Sequence, residues 1–372
     1  MDPRYHVGGA EKLLSPSLLF FKDLIQHNIE RMIARAGSPD RLRPHVKTHK
    51  TREIVRMQVK AGVTKHKCAT IAEAEMLAQA GAADILIAYP MVGPNIERFA
   101  KLIRTYPESK FSCLVDHAKP LEQLSNTLQA AGLSAEVLVD VDIGQHRTGI
   151  AVGPEAVKLY EQIARSPGLR PGGLHAYDGH NHQEKLEDRE NAVVGPFDAV
   201  LEMRVSLMDR GMPVPRVVAG GTPTFPVYHE MHHDGLEFSP GTCVLNDHGY
   251  VSKYADLSDF TPAAVMLTRV VSRPAPNRIT LDLGHKAVAG DPPAGRRVRM
   301  LNLDEYREAT HNEEHLVLET PEPVKAEPGD IFYALPTHIC PTCALHKFAY
   351  VVSEGEVREQ WTIASRDRVI SI

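Results

Sequence analysis

The sequence lacks long apolar runs, and it carries no strong excess of charge. No run approaches the roughly 18 apolar residues of a membrane-spanning helix, so we expect no membrane partner. Residues 1–6 contain no apolar stretch of the signal-peptide kind. The formal net charge is only −5 over 372 residues, which predicts no nucleic-acid partner. The length suits two domains with ordinary hydrophobic cores.

Cysteine is also scarce. The five cysteines are scattered and odd in number: Cys68, Cys113, Cys243, Cys340 and Cys343. Such a set argues against a disulfide framework and predicts a reducing, cytoplasmic location. Histidine, in contrast, is abundant at 19 residues. Clustered histidines favour metal or proton-transfer chemistry, although surface histidines are the commoner case.

Strand and helix patterns alternate through the first two thirds of the chain. The predicted strands cover residues 42–46, 64–69, 84–89, 110–115, 135–141, 172–176, 216–219 and 236–238. Strand–helix units at this spacing predict an α/β fold, a (β/α)8 TIM-like barrel, with a doubly wound open sheet as the alternative. After about residue 258, proline-rich turns separate short strands, which predicts a mostly β C-terminal domain. We therefore expect a barrel domain at residues 17–258 and a β domain at residues 259–372.

A basic segment, Arg43–Lys50, begins within the first predicted barrel strand and continues past its end, where Lys47 lies. It packs five basic or imidazole side chains into eight residues. The ammonium form of a lysine is disfavoured among other cations, so Lys47 is a candidate nucleophile toward a carbonyl group. A solvated basic turn is the alternative.

A glycine-rich segment follows the seventh strand and has the composition of a phosphate cradle, with Gly220, Gly221 and Thr222 at its start. A tight turn without a ligand is the alternative. A reactive lysine and a phosphate cradle in one barrel indicate pyridoxal 5'-phosphate, held as a Schiff base. Tyr177 or His175 would then pack against the cofactor ring.

Arg147 would donate to the phenolic oxygen of that ring. A surface salt bridge is the alternative for Arg147, and a structural role at the barrel rim is the alternative for Tyr177.

The second domain contains a histidine and a cysteine at alternate positions, His338 and Cys340. In an extended segment both side chains project to the same side, and imidazole with thiolate suits Zn²⁺ best. Cys343 would then lie on the other face. A buried pair without a metal is the alternative.

Together these motifs resemble the D-threonine aldolase and D-serine dehydratase family, fold-type III pyridoxal-phosphate enzymes related to alanine racemase. The resemblance spans nearly the whole chain. The segments that carry it are 43–50, 140–149, 176–180, 220–222, 240–241, 282–286, 314–315 and 338–342.

The resemblance implies an N-terminal barrel and a C-terminal β domain that residues 1–16 join. It implies Lys47 as the Schiff-base lysine, Arg147 and Tyr177 near the ring, and Gly220, Gly221 and Thr222 at the phosphate. It also implies a divalent metal, Zn or Mn, at His338 and Cys340, and a homodimer.

The aldolases of this family carry a histidine base a few residues past the tyrosine. Here an ungapped count gives Gln183, with His182 beside it and His180 nearby, so His180 and His182 are the candidates.

The resemblance implies a lyase that acts on a small β-hydroxy-D-amino acid. A D-threonine aldolase type would give glycine and an aldehyde; a D-serine dehydratase type would give a keto acid and ammonia. The aldolases carry aspartate where this chain has Cys340, whereas the wider sequence is closer to the aldolases. We favour the aldolase, with the dehydratase and an unassigned lyase of the same substrate class as alternatives. A non-catalytic pyridoxal-phosphate-binding protein is the alternative from another class.

Overall fold

A computed structural model describes residues 2–372. The strands are β1 (Ser17–Phe21), β2 (Lys65–Cys68), β3 (Asp84–Pro90), β4 (Lys110–Val115), β5 (Ala135–Asp142), β6 (Ile150–Ala151), β7 (Leu169–Ala176), β8 (Val217–Ala219), β9 (Leu236–Phe238), β10 (Ala264–Ala275), β11 (Arg278–Leu281), β12 (Val298–Met300), β13 (Arg307–His311), β14 (Leu316–Glu319), β15 (Ile331–Pro336), β16 (Phe348–Ser353) and β17 (Glu356–Thr362). The helices are α1 (Lys22–Ala36), α2 (Arg52–Lys60), α3 (Ile71–Gln79), α4 (Pro94–Thr105), α5 (Ala118–Ala130), α6 (Pro154–Arg165), α7 (Leu186–Asp209), α8 (Phe225–Tyr228), α9 (His248–Val251) and α10 (Ile339–Leu345).

The chain folds into two compact units. The barrel unit comprises residues 32–47, 52–241 and 367–372. The β unit comprises the chain through Arg31, residues 48–51 and residues 242–366. Whether residues 17–258 and 259–372 fold as separate domains stays a prediction.

The barrel unit is built on a parallel sheet in the order β2-β3-β4-β5-β7-β8-β9, with β6 beside β5. Residues 42–46 close this sheet, because Leu42 pairs with Phe238 in β9 and His45 pairs with Lys67 in β2. They therefore act as an eighth strand between the first and the last. The prediction of a (β/α)8 barrel is confirmed, and the alternative of an open sheet is wrong.

Strands β3 and β8 form where the sequence is largely apolar, as expected for parallel strands covered on both faces, whereas β2 (Lys65–Cys68) is mostly polar. Leu86, Leu114, Leu138 and Val218 come from four different strands and form one buried cluster. This packing layer fills the barrel interior, so polar chemistry is confined to the strand ends and the loops after them.

The β unit contains the second sheet, in the order β13-β14-β11-β10-β1-β16-β17, with β15 pairing with both β10 and β12. Strand β1 runs antiparallel to β10 and parallel to β16. Its side chains Leu19 and Phe21 pack with Val265, Leu267 and Tyr333 in the core of this unit. The prediction of a mostly β second part is confirmed.

None of the helices within residues 2–372 combines the length and the apolar character needed to cross a membrane.

Candidate active site

The predicted nucleophile and the predicted ring neighbours meet at the carboxyl ends of the barrel strands. Lys47 directly follows the closing strand, and its Nζ lies 5.7 Å from the centroid of the Tyr177 ring. Tyr177 directly follows β7. Arg147 comes from the loop after β5, and its Cζ lies 5.1 Å from the same centroid. An aromatic face ringed by cations attracts planar, anionic ligands.

The cationic side chains of the basic segment do not all surround Lys47. Arg43 is completely buried and pairs with Asp84 at 2.7 Å and with Glu237 at 2.5 Å. Burial opposes its charge, but the two carboxylates outweigh burial and raise the pKa of Arg43 above its usual value. The backbone N–H of Lys47 donates to His45 Nδ1 at 3.2 Å. The segment therefore shapes the turn that presents Lys47, while Arg43 stabilises the barrel.

The two glycines of the predicted phosphate cradle, Gly220 and Gly221, lie where a larger side chain would not fit. Gly220 has a φ of +77°, and a Cβ there would lie 2.7 Å from the Tyr228 ring. A Cβ on Gly221 would lie 3.2 Å from the Tyr177 ring. Thr222 Oγ1 accepts from the backbone N–H of Gly241 at 3.2 Å. A side chain at either position would therefore meet an aromatic ring, and the N–H groups of Gly220 and Gly221 donate to Ala176 O at 3.3 Å and to Thr224 Oγ1 at 3.1 Å.

Ser239 adds a donor to this cradle that the sequence did not reveal. Its backbone N–H donates to Ala219 O, next to Gly220, at 3.1 Å. Its Oγ is buried and has no hydrogen-bond partner among the described residues. A buried hydroxyl without a partner beside a glycine turn fits an anionic group such as a phosphate. The cradle therefore has the chemistry that pyridoxal phosphate requires.

A buried hydrogen-bonded series was also missed. His175 Nδ1 lies 2.7 Å from Asp140 Oδ1, and Thr148 Oγ1 donates to Asp140 Oδ2 at 2.9 Å. His175 Nε2 lies 3.4 Å from the Nζ of Lys67 on β2. Burial and the Lys67 charge lower the pKa of His175. Asp140 and His175 lie in motifs that the sequence analysis identified, but the contact between His175 and Lys67 was not predicted.

The two candidate base histidines lie in different environments. His180 packs on the loop after β5, because a Cβ on Gly144 would lie 2.8 Å from its Nε2. Its Nδ1 is buried and has no hydrogen-bond partner among residues 2–372. His182 is exposed, and Gln183 is half-buried. The structure therefore favours His180 over His182 as a group that could receive a proton.

The predicted metal pair lies in the β unit. His338 precedes α10, Cys340 lies in its first turn, and the Nδ1 of His338 lies 2.5 Å from Asp291 Oδ2. Burial opposes the imidazolium, but Cys340 and Asp291 outweigh burial and raise the pKa of His338 to about 9. Within residues 2–372, no three His, Cys, Asp or Glu side chains form a ready metal-binding group. The pair is thus a two-donor site.

Hydroxyl groups surround the thiol of this pair. Cys340 Sγ lies 3.2 Å from Thr48 Oγ1 and 3.6 Å from Thr242 Oγ1. Burial opposes ionisation, but the contact with His338 outweighs it and lowers the pKa of Cys340. A stabilised thiolate beside an imidazole is a donor set that suits Zn²⁺.

The expectation of an extended segment after His338 is wrong. Residues Ile339–Leu345 form α10, so Cys343 lies one turn after Cys340 rather than on an opposite strand face. Cys343 is fully buried, and burial raises its thiol pKa well above the usual value. Cys343 is therefore a core residue of the β unit.

Six of the predicted residues come together in the barrel unit: Lys47, Arg147, Tyr177, Gly220, Gly221 and Thr222. His338 and Cys340 come together in the β unit. A barrel that carries a lysine at the end of its first strand and a glycine cradle after its seventh defines the alanine racemase-like class of barrels.

The comparisons with known proteins agree with this class. Residues 22–246 match the family described as "Alanine racemase, N-terminal domain", and residues 263–352 match the "Putative serine dehydratase domain". The chain therefore belongs to the alanine racemase N-terminal domain family.

Characterised relatives span the whole chain. A D-threonine aldolase from Arthrobacter sp. is 30% identical over 364 residues, which cover 95% of this chain and 92% of the relative. The crystal structure of a D-threonine aldolase from Filomicrobium marinum superposes with a TM-score of 0.88 at 28% identity, covering 96% of each chain. A D-threo-3-hydroxyaspartate dehydratase from Delftia sp. HT23 superposes with a TM-score of 0.82 at 25% identity, covering 95% of this chain and 98% of the dehydratase.

Proposed function

We propose that this chain is a pyridoxal-phosphate- and metal-dependent lyase that acts on β-hydroxy-D-amino acids, of the D-threonine aldolase type. The proposal is carried by one observation: Lys47 and Arg147 both lie close to the Tyr177 ring, beside the glycine turn at Gly220 and Gly221. The named relatives, which include an aldolase and a dehydratase of such substrates, support the same substrate class.

In this proposal each barrel residue has a defined task toward the cofactor. Lys47 would hold the cofactor through its amine, and Arg147 would donate hydrogen bonds to the cofactor ring. The backbone at Gly220 and Gly221, with the hydroxyl groups of Thr222 and Ser239, holds the phosphate. Bound pyridoxal phosphate supplies an electron sink for bonds at the substrate Cα.

The metal proposal rests on the donor chemistry of His338 and Cys340. We propose Zn²⁺ rather than Mn²⁺, because a thiolate is a soft ligand. A bound divalent metal supplies a Lewis acid for a substrate oxygen. Two protein donors leave coordination positions for water and substrate. A D-threo-3-hydroxyaspartate dehydratase of similar fold has been solved as a cysteine-to-alanine mutant in a metal-free form.

His180 is proposed as the base. Its buried Nδ1 has no partner among the described residues and so has the capacity to accept a proton. Removing the proton of the substrate β-hydroxyl breaks the Cα–Cβ bond and gives glycine and an aldehyde. Removing the Cα proton instead expels hydroxide and gives, after loss of ammonia, a keto acid. A cysteine at position 340, where the aldolases carry aspartate, favours this second, dehydratase outcome, and the lowered pKa of its thiol agrees with a role as a metal donor.

We further propose a homodimer in the cytoplasm. Family resemblance supports the dimer. All five cysteines are free thiols, which supports a reducing compartment. The paired donors in the β unit favour an enzyme over a non-catalytic cofactor-binding protein, because cofactor storage alone needs no metal ligands.

Turnover of D-threonine by two histidine variants tests the proposal. Wild-type holoenzyme with added Zn²⁺ should consume D-threonine, and His180→Gln should lower the rate by about 10²-fold or more. The exposed His182→Gln variant is the matched comparison and should retain most of the rate. Consumption that is equal in wild type and His180→Gln would remove His180 from the mechanism, and no consumption by wild type would contradict the proposed substrate.

A further inference from the structure

Lys67 is a buried amine to which the proposed reaction gives no task. It lies on β2, and only 2% of the residue is exposed. Its Nζ lies 5.5 Å from the centroid of the Tyr177 ring, whose centroid also lies 5.7 Å from the Nζ of Lys47. Two lysine amines on neighbouring strands therefore approach one ring.

The hydrogen bonds around Lys67 define where the protons lie. The Asp140 carboxylate accepts from Thr148 Oγ1 and faces His175 Nδ1 at 2.7 Å, so Nδ1 carries the imidazole proton. The other ring nitrogen, Nε2, is then an acceptor in the neutral imidazole. Lys67 Nζ, 3.4 Å away, is the donor that faces it. The order Lys67–His175–Asp140 is thus a continuous path for a proton.

The charges that face Lys67 come from several strands. Arg43 lies on the closing strand and Lys47 lies directly after it. Asp140 lies on β5, His175 lies on β7, and Asp178 lies in the loop after β7. Burial and, next, the Lys47 charge disfavour the ammonium form, whereas Asp140 and Asp178 favour it. The balance lowers the pKa of Lys67 to about 7. Lysines that exchange protons in enzymes have pKa values in this range.

A structural role does not account for this environment. A buried lysine that only stabilises a fold is normally paired with a carboxylate, because an unpaired buried charge is costly. Lys65, on the same strand, follows that rule with an ion pair to Glu237 at 3.0 Å. Lys67 instead faces a neutral imidazole.

We propose that Lys67 is a proton-holding residue of this site, which takes up a proton as the free amine and exchanges it along His175 and Asp140. This inference rests on the proposed lyase function. An N–H bond of the substrate breaks, an N–H bond forms on Lys67 Nζ, and the same proton later returns to the product. No electrons are exchanged with any other reactant.

The titration of Lys67 in the holoenzyme tests this inference without relying on turnover. NMR of lysine labelled at Cε and Nζ follows each amine with pH, and the signal that disappears in Lys67→Arg is that of Lys67. We expect a midpoint near pH 7. A midpoint near the ordinary lysine value of about 10.4 would overturn the inference.

Variant kinetics provide the second readout. The rate of wild type should rise through about pH 7, as Lys67 loses its proton. Lys67→Met should lower the rate by roughly 10²-fold and abolish this rise. Lys67→Arg keeps the charge and the bulk, so it should bind the cofactor and yet remain slow at every pH. Lys65→Met is the matched control on the same strand and should keep the wild-type profile.

The outcomes separate this inference from the proposed function. An unchanged profile in Lys67→Met overturns the role of Lys67 and leaves the lyase proposal intact. If wild type converts no β-hydroxy-D-amino acid, the lyase proposal fails, and the NMR midpoint still decides whether Lys67 holds a proton near neutrality. If Lys67→Met does not fold, Lys67→Arg and the NMR titration decide the question.

Discussion

The Nζ of Lys47 lies 5.7 Å from the centroid of the Tyr177 ring, at the carboxyl ends of two different barrel strands. Lys47 comes from the turn after the closing strand, and Tyr177 comes directly after β7. An amine held beside an aromatic face is positioned for covalent capture of a planar carbonyl compound. This relationship leads to the first prediction.

Lys47→Ala should abolish covalent attachment of pyridoxal phosphate, because no other lysine is proposed to bond to it. Borohydride treatment of wild type followed by peptide mass spectrometry should locate the pyridoxyl group on Lys47. The exposed Lys60→Ala variant should retain full attachment. A pyridoxyl group found on a different lysine of borohydride-treated wild type would reassign the anchor.

Gly220→Ala should weaken cofactor binding and destabilise the fold by about 1–3 kcal/mol, because Gly220 has a positive φ and its Cβ would meet the Tyr228 ring. Equilibrium binding of pyridoxal phosphate and thermal unfolding measure the two effects. Gly195→Ala is the comparison, since a Cβ there meets no atom within 4 Å. It lies inside α7 and should gain up to about 1 kcal/mol of stability. Equal cofactor affinity in Gly220→Ala and wild type would argue against the cradle.

Much of the barrel could be predicted from the sequence, because apolar segments such as those in β3 and β4 alternate with helical patterns at regular spacing. The predicted strand at residues 110–115 coincides with β4. Strands β13 and β17 were missed, since β13 has no buried side chain, most side chains of β17 are exposed, and no apolar period marks either strand. A sheet edge of this kind is specified by its partner strand rather than by its own sequence.

Helix α10 was misjudged for a tertiary reason. Pro341 lies in its first turn, where proline is tolerated because its missing N–H would have no helical partner. The Ile339 N–H donates to the Asp247 carboxylate at 3.1 Å, and this cap comes from a residue distant in sequence. Local patterns do not contain such a contact.

The site was predictable where motifs are local, as at Lys47 and Gly220. Lys67 was not, because a lysine in the four-residue strand Lys65–Cys68 resembles a solvated residue. Only the closed barrel shows that its side chain is buried and faces His175. Pairs that form across strands therefore required the structure.

Asp140→Asn should shift the rising limb of the pH–rate profile to lower pH. The Asp140 carboxylate favours the charged form of Lys67, so its removal lowers the pKa of Lys67 below about 7. The free amine then appears at lower pH, and the rate rises earlier. Glu136 lies on the same strand and pairs with Arg216, so Glu136→Gln is the control. It should leave the pH midpoint of the rise in rate unchanged. A shift to higher pH in Asp140→Asn would contradict the sign of this coupling.

Cys340→Ala should remove bound Zn²⁺, whereas Cys343→Ala should retain it. Contact with His338 lowers the pKa of Cys340 in spite of its burial, whereas Cys343 is a buried thiol whose pKa is raised. Elemental analysis of the purified holoproteins measures the metal directly. Cys343→Ala should instead cost about 1 kcal/mol of stability through a small cavity. Full metal content in Cys340→Ala would place the metal elsewhere.

The identity of the products formed from D-threonine tests the central claim most directly. We predict that metal-replete holoenzyme converts D-threonine to equal amounts of glycine and acetaldehyde and leaves L-threonine unchanged. Formation of 2-oxobutanoate and ammonia would assign the dehydratase outcome. The claim of a lyase for β-hydroxy-D-amino acids would be contradicted if fully loaded enzyme converted neither D-threonine, D-serine nor 3-hydroxy-D-aspartate.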